Sequence, residues 1–429
     1  ALKNNLDLKV EELQEAVEKE GKTAAVLGLL PKMQMQYDLK TRTNEPGATS
    51  IDLKTGQTSL QASRSSEKTE HGYKFEMAYG LIDFGMAYFN AVQAQDKVML
   101  AETQKQRMQQ NLTFEVAQAY FDVAATQDAI VTTKDLLEKC KGIETVFNNL
   151  RDAKSLSQLR VLDERKRFID QEKRLMMYQR SHEASCIKLR TLMGYLPMED
   201  IHVDSKALKP MDFTAIPDVE TLEMAALRNR PELSQIDIQS HINIVEARKA
   251  ILEMFPNVQI FSSWQYSSNP LLYHQSWWEV GMRSAYDLLK LPSRVMHYQA
   301  LGEQGKELEM RTLALSVAVM SQVRLAHADL IDAVDIYAYN DRVYKVYLRS
   351  LEMSQKNYDA GSALSRFEMN RLELETAEKN IVRTQSLSSC YMAYYRLINA
   401  VGAGTLDRKE FEKIRESFTA QMKQTASRN

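Results

Sequence analysis

The feature that most limits what this chain can become is that it is written twice. Residues 1–8 read ALKNNLDL and residues 226–233 read ALRNRPEL. At the same offset Ala25-Val26-Leu27 faces Ala250-Ile251-Leu252, and Pro31 falls on Pro256 without a gap. Further on, Tyr79-Gly80-Leu81-Ile82 matches Tyr286-Asp287-Leu288-Leu289, and Asp152-Ala153-Lys154-Ser155 matches Asp359-Ala360-Gly361-Ser362. The halves close on Gly194 and Gly402. Blocks in one order, each offset by roughly 200 to 225 residues, mark an internal repeat rather than chance likeness between helices.

Each half follows one plan of helix, strand, loop, strand, long helix, tight turn, long helix. The first repeat, 1–218, has an opening helix over 2–29, strands at about 31–44 and 70–82, and a polar loop, 45–68, between them. Long helices at about 85–150 and 158–193 flank a turn at 151–157, and a linker at 195–218 carries Pro197, Pro210 and Pro217. The second repeat, 219–404, has a helix over 232–254 and strands at about 257–268 and 277–288. Its long helices run at about 293–358 and 364–401 around a turn at 359–363, and 405–429 form a charged C-terminal tail.

The strands rest on period-two alternation. Met33, Met35, Tyr37 and Leu39 share one side against Gln34, Gln36, Asp38 and Lys40. Tyr73, Phe75, Met77, Tyr79 and Leu81 oppose Lys74 and Glu76; Val258, Ile260, Trp264 and Tyr266 oppose Gln259, Ser263 and Gln265; Trp278, Val280 and Met282 oppose Glu279 and Arg283. Alternation also describes a half-buried sheet in water. Strands of this length, with aromatic residues towards their ends and charges on the second side, instead fit a lipid-facing surface over a wet lumen. The expected lipid-facing set is Met35, Tyr37, Phe75, Met77, Tyr79, Val258, Ile260, Trp264, Trp278 and Val280, with Trp277 and Trp278 in an interfacial girdle. Four strands close no barrel, and an open edge in lipid leaves backbone groups unpaired at several kcal/mol each. Other copies must complete the cylinder: two copies give eight strands, three give twelve.

The long helices point the same way. Residues 85–150 alone span about 100 Å at 1.5 Å per residue. In the second repeat Val319, Val323, Ala326, Leu330, Val334 and Tyr337 recur at three- and four-residue steps, a coiled-coil-like seam. Val116, Tyr120, Val123 and Ile130 form a like seam in the first, beside Ala117, Ala119, Ala124 and Ala125. Glycine (15) and proline (9) are scarce, as long helices require.

Composition removes other classes. A net charge of −2 offers no basic surplus for nucleic acid. No apolar run approaches the roughly 20 residues of a membrane-crossing helix. There is no HExxH, no Cys/His cluster and no phosphate-binding glycine loop, so no metal, cofactor or catalytic constellation is expected. The methionines form no tight Met-x-x-Met array, and Cys140, Cys186 and Cys390 read as packed thiols.

With this plan, Asn229-Arg230-Pro231-Glu232-Leu233 opening the second half, Phe255-Pro256 entering a strand and Tyr358-Asp359-Ala360-Gly361 at the last turn, the chain resembles the TolC-like outer-membrane efflux factors over most of 1–404. The resemblance implies a mainly α fold with membrane β. Three copies would form a twelve-stranded outer-membrane barrel continued by a periplasmic helical barrel, in the outer membrane of a Gram-negative bacterium. The expected role is a passive, non-enzymatic exit duct for small molecules, working with a periplasmic adaptor and an inner-membrane pump of the RND or ABC type. Type I protein secretion is the alternative, and a soluble coiled-coil or adaptor protein is the reading without a membrane. By the same resemblance the periplasmic end narrows at the helical turns. Phe367 would form the constriction and Asn370 a polar collar, with Glu368 between them, and Arg151, Asp152 and Asp359 would make ionic latches. Loop 45–68 would be extracellular.

Overall fold

A computed structural model describes residues 1–403 apart from 59–60, 153–157, 197–200, 202, 205–207, 209–215 and 360–365. The described residues are mainly helical. In chain order they form α1 (Leu6–Leu27), β1 (Lys32–Thr41), β2 (Thr69–Gly80), α2 (Leu81–Asp152), α3 (Gln158–Met193), α4 (Val219–Asn229), α5 (Pro231–Glu253), β3 (Asn257–Ser267), β4 (Ser276–Ala285), α6 (Leu291–Asp359) and α7 (Arg366–Val401). Each helix and strand expected from the sequence begins and ends within four residues of its expected range. Pro31 and Pro256 stand just before β1 and β3, where a ring without an N–H ends a helix and favours extended backbone. The turns at 153–157 and 360–363 and the tail 405–429 lie outside the described residues.

Two features differ from the expectation. The first is α4, which the prolines on either side (Pro217 and Pro231) hid. Asp218 caps it through Glu220 N, and Leu222, Ala225 and Ala226 at helical spacing bury its inner side. The second is the segment 45–68, which is an extended hairpin rather than a plain loop. Isolated bridges pair Ala48 with Ser63 and Ile51 with Thr58. Asp52 accepts from Lys54 N and Thr55 N at the tip, ahead of Gly56 with φ 70°.

The chain divides into two compact units, each drawing on both halves of the sequence: Gln14–Ala101 with Ile236–Met310, and Ala1–Leu13 with Glu102–Gln235 and Arg311–Asn429. The first holds the sheet, in the order β1-β2-β3-β4 with every neighbour antiparallel. Asn257 fastens it to the start of α2, accepting from Ile82 N at 3.2 Å and donating to Asp83 Oδ1 at 3.0 Å. The helices are laced by polar contacts. Gln93 donates to Glu246 at 2.6 Å, Lys249 to the same carboxylate at 2.9 Å, and His241 meets Asp96 at 2.8 Å. Burial pushes the Glu246 carboxyl up, but Lys249 and Gln93 outweigh it and hold the group below its ordinary range.

The second unit is helix on helix. Val319, Val323, Ala326 and Leu330 of α6 are fully buried against Leu222 and Ala225 of α4 and Cys390, Leu397 and Val401 of α7. Ala119, Val123 and Ala124 of α2 pack on Cys186 and Leu189 of α3, the alanines letting the backbones approach. Phe121 stacks on Tyr391 at 4.5 Å. Cys186 and Cys390 are free and buried.

Two joints close this unit. At one, Asn5 caps α1 by accepting from Leu8 N at 3.0 Å and donates to Leu192 O at 3.2 Å. Gly194 (φ 75°) ends α3 there, and a Cβ on it would lie 2.5 Å from Asn4 O. At the other, Gly402 (φ 72°) ends α7, and its Cβ would lie 3.0 Å from Asn229 O. Here Arg230, between α4 and α5, reaches back to Asn399 O at 3.1 Å and to Gln322. Arg107 of α2 binds Glu232 at 2.7 Å and Asn399 Oδ1 at 2.8 Å, while Arg230 Nε stands 3.5 Å from the same Glu232. Burial lowers the pKa of both arginines; the charge of Arg107 lowers that of Arg230 further, and Glu232 opposes the shift.

Candidate channel wall and gate

The register assigns each strand residue to one side of the sheet, because neighbours across an antiparallel ladder point the same way. Met35 pairs with Phe75, Phe75 with Trp264 and Trp264 with Trp278, so four large apolar side chains cross the sheet in one row. The next row towards the hairpin tips is Tyr37, Tyr73 and Tyr266, with ring centroids 5.1 and 6.1 Å apart. Towards the helices the same side continues through Met77 and Val280, then Tyr79, Ile260 and Met282, with Val258 at the base. All ten positions named from the sequence fall on this side. It is also the bare one: Met35 and Val280 are each 76% exposed.

The other side carries the charge. Glu76 of β2 is buried between Lys74, 2.6 Å away, and Arg283 of β4, which reaches it across the buried Ser263 of β3. Arg283 also donates to Gln259 at 2.7 Å, and Gln265 donates to Glu279 at 2.6 Å. Beside them Phe261 lies across the sheet so closely that a Cβ on Gly281 would meet its ring at 2.6 Å; the glycine is there because the ring fills its place. Trp277 pairs with Gln265 and belongs to this polar side. The girdle expected from Trp277 and Trp278 together is therefore corrected. Adjacent residues of one strand face opposite ways, and β4 begins at Ser276, so only Trp278 joins the apolar row.

This distribution inverts that of a sheet folded in water. Among the described residues most of the apolar side is uncovered, with Phe84 of α2 meeting Tyr79 at its base, whereas Glu76, Ala78 and Ser263 on the polar side are buried. Among the described residues β1 and β4 each pair on one side only, so both margins are open as well. The sheet thus presents one apolar side, one charged side and two margins with unpaired backbone.

The expected gate is less fully placed. The backbones of Arg151 and Asp152 end α2, Asp359 ends α6, and Phe367 and Glu368 lie in the first turn of α7. Their side chains lie outside the described residues. Asn370, one turn into α7, is half-buried. Among the described residues no group of three or more His, Cys, Asp or Glu is arranged to hold a metal ion, and no helix is long and apolar enough to cross a membrane.

With wall and helices in place, the chain can be set beside solved structures. It is similar to the outer-membrane channel OprN, 17% identical with a TM-score of 0.71 over 94% of this chain and 88% of that one. The CmeC outer membrane channel of Campylobacter jejuni aligns over 96% and 86% of the two chains at 12% identity, TM-score 0.71. The chain has the fold of a TolC-like outer-membrane channel. The MtrE outer membrane channel of Neisseria gonorrhoeae, in its open state, matches 95% of this chain and 88% of its own at 15% identity, TM-score 0.70. No protein-family model matches the sequence, and no curated protein is similar to it. The likeness to this TolC-like fold is therefore one of shape, at 12–17% sequence identity.

The buried Arg107–Arg230–Glu232 cluster was not found from sequence. In the sequence Arg230-Pro231 marks only a helix start, with proline where its missing donor is harmless. The partners Arg107, Gln322 and Asn399 lie on three other helices, far away along the chain. No local pattern joins them.

Proposed function

We propose that three copies of this chain form a passive, non-enzymatic exit duct in the outer membrane of a Gram-negative bacterium. Twelve strands make its barrel and a helical barrel extends it into the periplasm. The observation that carries this is the four-stranded sheet itself: apolar and bare on one side, charged on the other, open at both margins. Three such segments close a cylinder whose outside suits lipid and whose inside suits water. The two joints and the repeated sequence blocks support a duplicated building unit. The channels it resembles support transport as the role.

Small molecules are the proposed cargo, delivered by an inner-membrane pump of the RND or ABC type through a periplasmic adaptor; the pump supplies the energy. The proposed gate lies at the first turn of α7, with Phe367 as constriction, Asn370 as collar and Glu368 between them. Arg151, Asp152 and Asp359 latch the helical turns. Purified in detergent, the protein should have the mass of three chains and open steady single channels in planar bilayers. A one-chain species that stays soluble without detergent overturns the reading. Phe367→Ala with Asn370→Ala should raise conductance several-fold; an unchanged conductance removes these residues from the gate.

A further inference from the structure

The charged side of the sheet is ordered along the strands as well as across them. From the helices outward, the first charged row carries Arg283 beside Gln259, and the second carries Lys32, which Asp83 of α2 meets at 3.2 Å. The third is acidic, with Glu76 and Glu279 on either side of Ser263. Lys74 makes the fourth cationic, Asp38 makes the fifth acidic, and Lys40 pairs with Glu70 in the sixth. The four strands therefore hold four basic and four acidic residues on this side, and no Asp, Glu, Lys or Arg on the other. Successive rows lie about 7 Å apart along a strand, less than the ~8 Å over which physiological salt screens a charge. A solute beside one row feels the oppositely charged row next to it as well, and the two fields largely cancel.

The two acids of the third row are not equivalent. Glu279 is exposed and binds the neutral Gln265 at 2.6 Å. The Glu76 side chain is only 8% exposed, whereas Lys74 and Arg283, which both reach it, stand 31% and 50% exposed. One carboxylate thus serves the cations of two other rows, one on its own strand and one on β4. A carboxylate held this deep depends on its cations, and removing it leaves both of them uncompensated. Arg283 is kept against the sheet by Gln259, 2.7 Å away, and by the Phe261 ring, whose centroid lies 4.9 Å from its guanidinium. Its charge is spent on the wall itself.

We propose that Glu76 sets the charge selectivity of the barrel: by cancelling Lys74 and Arg283 it keeps the wall neutral, so that small molecules of either sign pass it alike. This rests on the reading of the polar side as the lumen of a three-copy duct. Each row is then repeated around the bore, and a change of one charge per copy is felt three times over. Glu76 is the residue at which that change is largest, because its loss frees two cations at once.

The test is the chloride-to-potassium permeability ratio of single channels of the full chain in planar bilayers. The potassium chloride gradient is kept below about 0.1 M, where a charge acts over ~10 Å. Each variant is compared with its parent, so that the gate contributes equally to both. Glu76→Gln should raise the ratio about threefold or more, and Arg283→Gln should lower it by a like factor. The two together should return it to the parental value. Channels that open normally but whose ratio moves in neither single variant overturn the proposal and leave the duct standing. A double variant that keeps the shift of either single overturns it too, since the two charges then do not cancel. A protein that opens no channel in any form removes the duct, and the selectivity with it. Should Glu76→Gln fail to fold, Glu279→Gln replaces it: loss of this exposed acid must also raise the ratio, and an unmoved ratio there overturns the neutral wall.

Discussion

The two joints of the helical unit solve one geometric problem with different chemistry. At each, a left-handed glycine ends a long helix against an asparagine carbonyl, and the next residue's side chain reaches back to a carbonyl of that helix. The glycine cannot vary, because the backbones meet too closely for a Cβ at a positive φ. The reaching side chain can, since any donor of sufficient length satisfies the carbonyl. Asn5 does this neutrally and doubles as a helix cap. Arg230 does it as a buried cation, and a buried cation needs an anion. Glu232 supplies it, Arg107 joins from α2, and a local closure becomes a clasp among four helices. The two joints share their backbone geometry and differ in their charge.

The largest effect expected from breaking this comparison is at the glycines. Gly194→Ala should cost about 3 kcal/mol or more, from the clash with Asn4 O added to left-handed strain, and Gly402→Ala about 1 to 2 kcal/mol, its contact being looser. Thermal unfolding in detergent followed by circular dichroism ranks the two, and equal losses would show that the difference in clearance does not matter. Next comes Glu232→Gln, which strands two buried arginines and should cost about 3 kcal/mol. Adding Arg230→Met should restore part of that loss, because one uncompensated cation is gone; a further additive loss would deny that the three charges act as a unit. Asn5→Ala, which removes a cap and one hydrogen bond without stranding a charge, should cost only about 1 kcal/mol.

The smallest effect concerns the two buried cysteines. Burial pushes the Cys390 thiol up to about 11, and it raises that of Cys186 as well. The reactive thiolate is therefore scarce in the folded protein at neutral pH and appears only as pH climbs towards those raised values. In a Cys140→Ser background, maleimide labelling at pH 8 should be slow at both sites and many-fold faster after denaturation. Rapid labelling of the native protein at Cys390 would show that the α6–α7 seam opens.

Much of this was legible because it is periodic. Met33 to Leu39 and Tyr73 to Tyr79 declare a two-sided strand, and Val319 to Tyr337 declares a seam, because period and burial are the same information. α4 was missed because its eleven residues are too few for the period to speak over two flanking prolines. Asp218 with Glu220, then Leu222, Ala225 and Ala226, was the faint signal. The joints were half legible: the glycines stood out as the ends of the repeats, but nothing near Arg230 announces Arg107 or Asn399. The exposed stripe of α1 was equally hidden, since Leu6, Val10, Leu13 and Val17 look like an ordinary inward face until the fold shows them uncovered.

The two unpaired sheet margins also govern how the protein is made. A lone chain entering oil would carry two rows of unquenched amides and carbonyls, so a half-finished wall is no stopping place. For the proposed three-copy duct, biogenesis is then a collision problem: copies would have to find one another before or during insertion, and maturation would quicken steeply with the number of chains waiting.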